Sequence, residues 1–237
     1  MAHEQLAAIH KSKKDTAAAA KHYREAISIR EEISKLRPDN ERLARQTLGA
    51  RINFANFLRT SKEYPEASVR YKDLLDSLEK AADDGDPFLR LVRFGLADSL
   101  MHQKKHSDAL PLWTKLVEND SDPGWDVFEL QRSMCEIRGG NITEGVAAAK
   151  SVLESEEPDG AVCYDVACCY SIAAAEEKEE DQADEYAGEA MRLLRQARDE
   201  GFFTEEMRAH AKSDFDLDGV HSRPEFKEFF ESLNNEE

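Results

Sequence analysis

Three segments of this chain align without gaps: KEYPEASVRYKDLL from Lys62 to Leu75, KHSDALPLWTKLV from Lys105 to Val117, and NITEGVAAAKSVL from Asn141 to Leu153. A self-similar period of about 34 to 45 residues is the signature of a stacked repeat, because one such unit cannot bury its apolar face alone. Each segment places a small residue (Ala67, Ala109, Gly145), a larger or apolar one four later (Tyr71, Trp113, Ala149), and an aliphatic three beyond that (Leu74, Leu116, Val152). These positions share one helical stripe, and the small residue belongs where a second helix crosses close to a first. Twelve residues before each lies another small one, Ala55, Ala97 and Ser133, with Phe54, Leu58, Leu96 and Leu100 around it at core spacing. Two antiparallel helices per unit, joined by a short polar turn, follow.

Helix formers dominate the 237 residues, 41% are hydrophobic, and the 11 Gly and 7 Pro fall mostly between apolar-periodic stretches, so the chain is all-α. Asp86-Pro87 and Asp122-Pro123 each set a capping carboxylate before a proline at the first helical position, and Tyr64-Pro65 is read the same way. The pattern predicts a first helix near His3 to Lys11, then pairs near 15 to 60, 66 to 103, 107 to 138 and 143 to 174. Final helices are expected near 181 to 200, 204 to 213 and 223 to 233.

The repeat resembles the tetratricopeptide family, although Arg51, Arg93 and Glu129 stand where that family carries its Trp. The stretch Ala17 to Asn40 resembles the family's longer repeat variant, ending at a Pro-Asp-Asn turn. Three later stretches, Val162 to Ala175, Glu185 to Phe203 and Lys212 to Phe230, resemble the closing repeat of bacterial arrays found behind serine/threonine protein kinases or in scaffold proteins. The resemblance implies a right-handed α-solenoid of about five helix pairs with a C-terminal capping helix. A single solenoid is expected over 1–237, with 1–40 as a long first repeat, 41–160 as central repeats and 161–237 as closing repeat and cap. It also implies a protein-interaction scaffold that is not an enzyme, a protein or peptide as partner, and a monomer or weak oligomer. No kinase signature is present.

In such an array the first helices line the concave surface, which puts Asn56, Arg59, Leu91, Phe94, Asp98, Met101, Val127, Leu130, Met134 and Tyr164 in the groove. An apolar strip with an aromatic anchor and methionines suits a partner. The alternative is that Leu91, Phe94, Leu130 and Met134 pack on one another. Asn53 and Asn56 lie near positions of the family's carboxylate clamp, but Ile52, Leu91 and Gly95 occupy the sites of its Lys and Arg, which argues against a clamp.

One motif suggests chemistry of another kind. Asp214, Asp216, Asp218, Gly219, Val220 and Glu225 satisfy the spacing of a calcium-binding EF-hand loop, which would make the tail a calcium-responsive module. Against it, His221 replaces the usual aliphatic and no second loop exists. The competing reading is a capping turn in which Leu217, Val220 and Phe226 dock on the last helices. No other cofactor is expected.

The formal charge of −17 repels phosphate backbones and anionic headgroups, which argues against nucleic acid and membrane partners. No run approaches the ~20 apolar residues of a membrane span and no signal pattern opens the chain, so a cytoplasmic location is expected. Cys135, Cys163, Cys168 and Cys169 lack metal-site spacing and read as buried small side chains of a reducing compartment. His102 and His106 could form a two-ligand face, and Glu176 to Asp181 reads as a solvated hinge. An enzyme on a helical repeat is the third reading, resting only on scattered His and carboxylates.

Overall fold

The computed structural model describes residues 2–80, 86–118, 124–155 and 158–233. Among them are thirteen α-helices and no strand. The helices are α1 Ala2–Ser12, α2 Thr16–Leu36, α3 Glu41–Thr60, α4 Tyr64–Leu78, α5 Pro87–Met101, α6 His106–Val117, α7 Trp125–Arg138, α8 Ile142–Ser155, α9 Gly160–Glu176, α10 Glu180–Asp199, α11 Glu205–Ala211, α12 Asp218–His221 and α13 Pro224–Leu233, with a 3-10 turn at Phe215–Leu217. They divide into two compact units, Met1–Leu112 and Trp113–Glu237, the division falling within α6.

The turns explain why the helices pair. Lys14, Lys62, Lys104 and Gly140 all have positive φ, 58°, 64°, 59° and 93°. The residue after each donates its N–H to a carbonyl five back: Asp15 to His10, Glu63 to Leu58, Lys105 to Leu100 and Asn141 to Glu136, all at 2.9 Å. This is a Schellman closure, which satisfies the last carbonyls of a helix and reverses the chain. Five residues beyond each left-handed residue sits the small one, Ala19, Ala67, Ala109 and Gly145. Twelve before that sit Ala7, Ala55, Ala97 and Ser133, and all of the named Ala and Ser are fully buried. A Cβ on Gly145 would lie 2.6 Å from Ile137 and 2.9 Å from the Ser133 carbonyl, so α7 and α8 cross too closely for a larger residue.

The hairpins are therefore α1–α2, α3–α4, α5–α6 and α7–α8. The expected grouping from 15 to 60 joined α2 to α3 and missed that α1 opens the first hairpin; Ala7 is its crossing residue. Successive helices also pack across hairpins, α2 on α3 and α4 on α5.

Local chemistry sets the starts. Asp15, Asn40, Asp86, Asp159 and Thr204 each accept a backbone N–H in the first turn of the helix that follows, with Asp86 bonding Phe88 N at 2.7 Å ahead of Pro87. Asp122-Pro123 lies outside the described residues. Tyr64-Pro65 differs from the expectation: α4 begins at Tyr64, and Glu63 before it makes no side-chain cap.

In the first unit Phe54, Leu58, Tyr71, Leu74, Leu89 and Val92 form the core. Two positions where the tetratricopeptide pattern has Trp are buried charges: Arg93 is 3.7 Å from Glu79, and Glu129 in the second unit holds Arg132. The second unit is built around α9, which is apolar on all sides and packs on α7, α8, α10, α12 and the 3-10 turn. Cys163, Cys168 and Cys169 lie on it, and all four cysteines are buried thiols outside any disulfide. Burial pushes the Cys135 thiol up to about 12 and raises Cys168 and Cys169 as well, which leaves them unreactive.

Candidate partner-binding face

In the first unit part of the predicted strip forms a network on α3 and α5. Leu91, Phe94 and Asp98 share a stripe of α5 at i, i+3 and i+7. Arg59 of α3 donates to Asp98 Oδ2 at 2.9 Å and lies 5.2 Å over the Phe94 ring. Burial works against the Arg59 charge, but the hydrogen bond and charge of Asp98 outweigh it and raise the pKa. Asn56 Oδ1 accepts from the Tyr71 hydroxyl at 2.7 Å, and burial pushes Tyr71 up to about 12. What Asn56 can offer a ligand is therefore its amide N–H. His102 stacks on Tyr64 at 4.2 Å and reaches Asp98 at 3.9 Å, extending the face. A pocket of about 330 Å³ opens beside it, lined by Lys11, Tyr23, Asn53, Asn56, Phe57 and Thr60.

Exposure separates the ten predicted residues. Leu91 (45%) and Val127 (42%) are exposed, and Asn56, Arg59, Phe94 and Asp98 are half-buried. Met101, Leu130, Met134 and Tyr164 are core residues with 9% or less of their surface accessible, a correction to their placement in an open groove. The reason lies in long-range packing. In the second unit α9 lies against α7 and covers Leu130 and Met134, with Cys169 Sγ 3.8 Å from the Leu130 carbonyl. Tyr164 donates its hydroxyl to Asp214 at 2.7 Å and packs on Phe202 and Phe203. Packing of Leu91 on Leu130 is not needed to bury either: Leu91 is open and Leu130 is covered within its own unit.

The tail motif does not assemble as a cation cage. Asp214 is buried, accepts from Tyr164, lies 3.2 Å from His210 and caps the 3-10 turn through Asp216 N at 3.0 Å. Asp216 pairs with Arg138, Asp218 with His221 at 3.2 Å, and Glu225 lies exposed in the first turn of α13. Leu217 and Val220 are fully buried and Phe226 is nearly so; the three dock as a cap. Gly219 has no positive φ; a Cβ there would stand 2.0 Å from the Ser171 carbonyl, so it is the contact point of α12 on α9 and not the sharp turn of a calcium loop. Here the segment from Phe215 to His221 is helical, and Asp214, Asp216 and Asp218 each turn to a partner of their own. Of the five candidate ligands, none belongs to a convergent set among the described residues. The one such set is His3, His22 and Glu25.

His102 and His106 do not share a ligand: His106 Nδ1 meets Met101 Sδ at 3.3 Å. The acidic hinge shortens to 177–179, where Glu177 accepts from the N–H groups of Lys178 and Glu179. No helix among the described residues is long and apolar enough to cross a membrane.

Helical hairpins packed in consecutive pairs define the class of helical-repeat proteins. Comparison with known proteins agrees. The tetratricopeptide repeat model matches residues 4–39, which are α1, α2 and the turn after them. The structure is similar to the nearly identical TPR-like repeats assigned to a kinesin light chain of Podosopora anserina, at 16% identity and a TM-score of 0.61, covering 84% of this chain and 93% of that one. A point-substituted form of the same repeats gives 0.62, with 87% and 95% covered and 16% identity. At that identity the likeness is one of fold. No curated protein matches the chain.

Proposed function

We propose that the chain is a docking scaffold that binds a protein or peptide through the α3–α5 face, with Leu91 as the apolar contact and Asn56, Arg59, Phe94 and Asp98 as the rigid floor beneath it. Tetratricopeptide repeats generally mediate protein–protein interaction, which supports the coarse reading. The observation that carries the finer one is the Arg59–Asp98–Phe94 network on the same stripe of α5 as an exposed leucine. Charges locked in mutual pairs lose little freedom when a ligand arrives, so the face is preorganised.

The charge of −17 favours a partner segment that combines an apolar residue with basic ones, whose association slows as salt rises. The resemblance of the closing segments to arrays behind bacterial kinases favours a docking role in signalling, and the net charge with the fold suits a cytoplasmic setting. The test is capture of partners by the wild-type chain against Leu91→Asp and, separately, Val127→Asp, both at exposed positions that leave the fold intact. Loss with Leu91→Asp supports the assignment; an unchanged partner set from a folded Leu91→Asp protein removes it.

A further inference from the structure

The α1–α2 hairpin brings together three side chains that its two helices contribute from opposite ends of the local sequence. His3 Nδ1 is 3.2 Å from His22 Nδ1, and both are 3.0 Å from the same carboxylate oxygen, Glu25 Oε2. All three are half-buried, with side-chain exposures of 35%, 20% and 38%.

Hydrogen bonding leaves at least one edge of this triangle without a bond. Each imidazole nitrogen carries either a proton or a lone pair, and an ionised carboxylate only accepts. With protons on both Nδ1 atoms, each can donate to Glu25, which crowds two donor nitrogens 3.2 Å apart on one oxygen with no bond between them. With one proton, the second imidazole and the carboxylate oppose lone pairs across 3.0 Å. With none, all three edges are repulsive. A cation at the centre satisfies all three donors at once. Ligand bonds of ~2.0–2.1 Å in tetrahedral geometry place donors about 3.3 Å apart, within a few tenths of an ångström of the edges seen here.

The donor set also selects the ion. Two imidazoles and one carboxylate suit zinc and its neighbours, whereas calcium and magnesium take oxygen ligands. We propose that His3, His22 and Glu25 form a binding site for a divalent transition-metal ion of the zinc type, which clips α1 to α2 and leaves a fourth position to water. His10 flanks it, its ring 5.4 Å from that of His22 and its Nδ1 buried without a hydrogen bond, 3.4 Å from an Asp15 carboxylate oxygen, so a second-line imidazole stands next to the site. Because the ligands sit on both helices of the first hairpin, binding stabilises that hairpin against fraying. Acid releases the ion, since protons compete for the imidazoles.

The test is calorimetric titration of the chelator-stripped full chain with zinc chloride, alongside His3→Gln, His22→Gln, Glu25→Gln and a His106→Gln control, with cobalt as a visible probe and hydrogen exchange in α1 as a second readout. One ion per chain is expected, with slowed exchange in α1 and a tetrahedral cobalt spectrum. His106→Gln keeps the affinity. Each ligand variant weakens it by more than the roughly 10–100-fold that losing an outer partner costs. His3→Gln, on the half-exposed first helix, keeps the hairpin folded and serves where His22→Gln does not. Absence of saturable binding in the wild type, or wild-type affinity in the three ligand variants, overturns the site.

Discussion

Asp165 makes the stability of the second unit depend on pH in the direction opposite to most carboxylates. It lies on α9, where burial first, and then the carboxylates of Asp214, Asp216, Asp126 and Asp159, push its pKa up to about 7 from an ordinary 3.8. The folded chain thus holds a proton more tightly than the unfolded one. The associated stability is fully present below about pH 4 and is lost as pH rises through about 7. At about 1.36 kcal/mol for each pH unit of that interval, the loss is on the order of 4 kcal/mol by pH ~8.5. Asp165→Asn keeps the shape and cannot ionise, so it matches the wild type near pH 4 and exceeds it by up to that amount at pH ~8.5. Both tryptophans, Trp113 and Trp125, belong to the second unit, so urea unfolding followed by tryptophan fluorescence reports on this unit. Equal stability differences at the two pH values would refute the reasoning.

Three further outcomes follow from the packing. Gly219→Ala forces α12 off the Ser171 carbonyl and destabilises the second unit by about 1–3 kcal/mol in urea melts, while calcium leaves the melts of wild type and variant unmoved. Lys62→Gly and Lys104→Gly relieve left-handed backbone costing ~1–2 kcal/mol in a side-chain-bearing residue; after the entropy that glycine adds to the unfolded chain, each stabilises the fold by under about 1 kcal/mol in thermal melts. Leu130→Ala costs about 2–5 kcal/mol and tests packing; it does not test binding, because Leu130 is buried under α9.

Most of the hairpin architecture was legible in the residues. The spacing of twelve between Ala55 and Ala67, and its recurrence at Ala97 and Ala109, follows from helix geometry and needs no tertiary knowledge. The first hairpin escaped because Ala17 to Ala20 is a run of four alanines, any of which could serve as the crossing residue; only the turn at Lys14 selects Ala19. The strip of candidate contacts was half legible. Periodicity shows which residues share a stripe, but what covers the stripe depends on elements distant in sequence, and α9 and the cap cover Met134 and Tyr164. The tail motif shows the same limit, since alternate carboxylates suit a cation loop and a series of helix caps equally well. The triangle of His3, His22 and Glu25 left no local signature: His3 is 19 residues from His22, and only the fold joins them.

The central claim is that the α3–α5 face does the binding. The most direct measurement places a photo-crosslinking residue at Leu91 in one protein and at Val69, exposed on α4, in another, and identifies the adducts formed in the presence of partner. Adducts from position 91 that vanish when unlabelled wild type competes, with none from position 69, are the predicted result. Competed adducts from position 69 and none from position 91 would contradict it and move the interaction to the opposite helices.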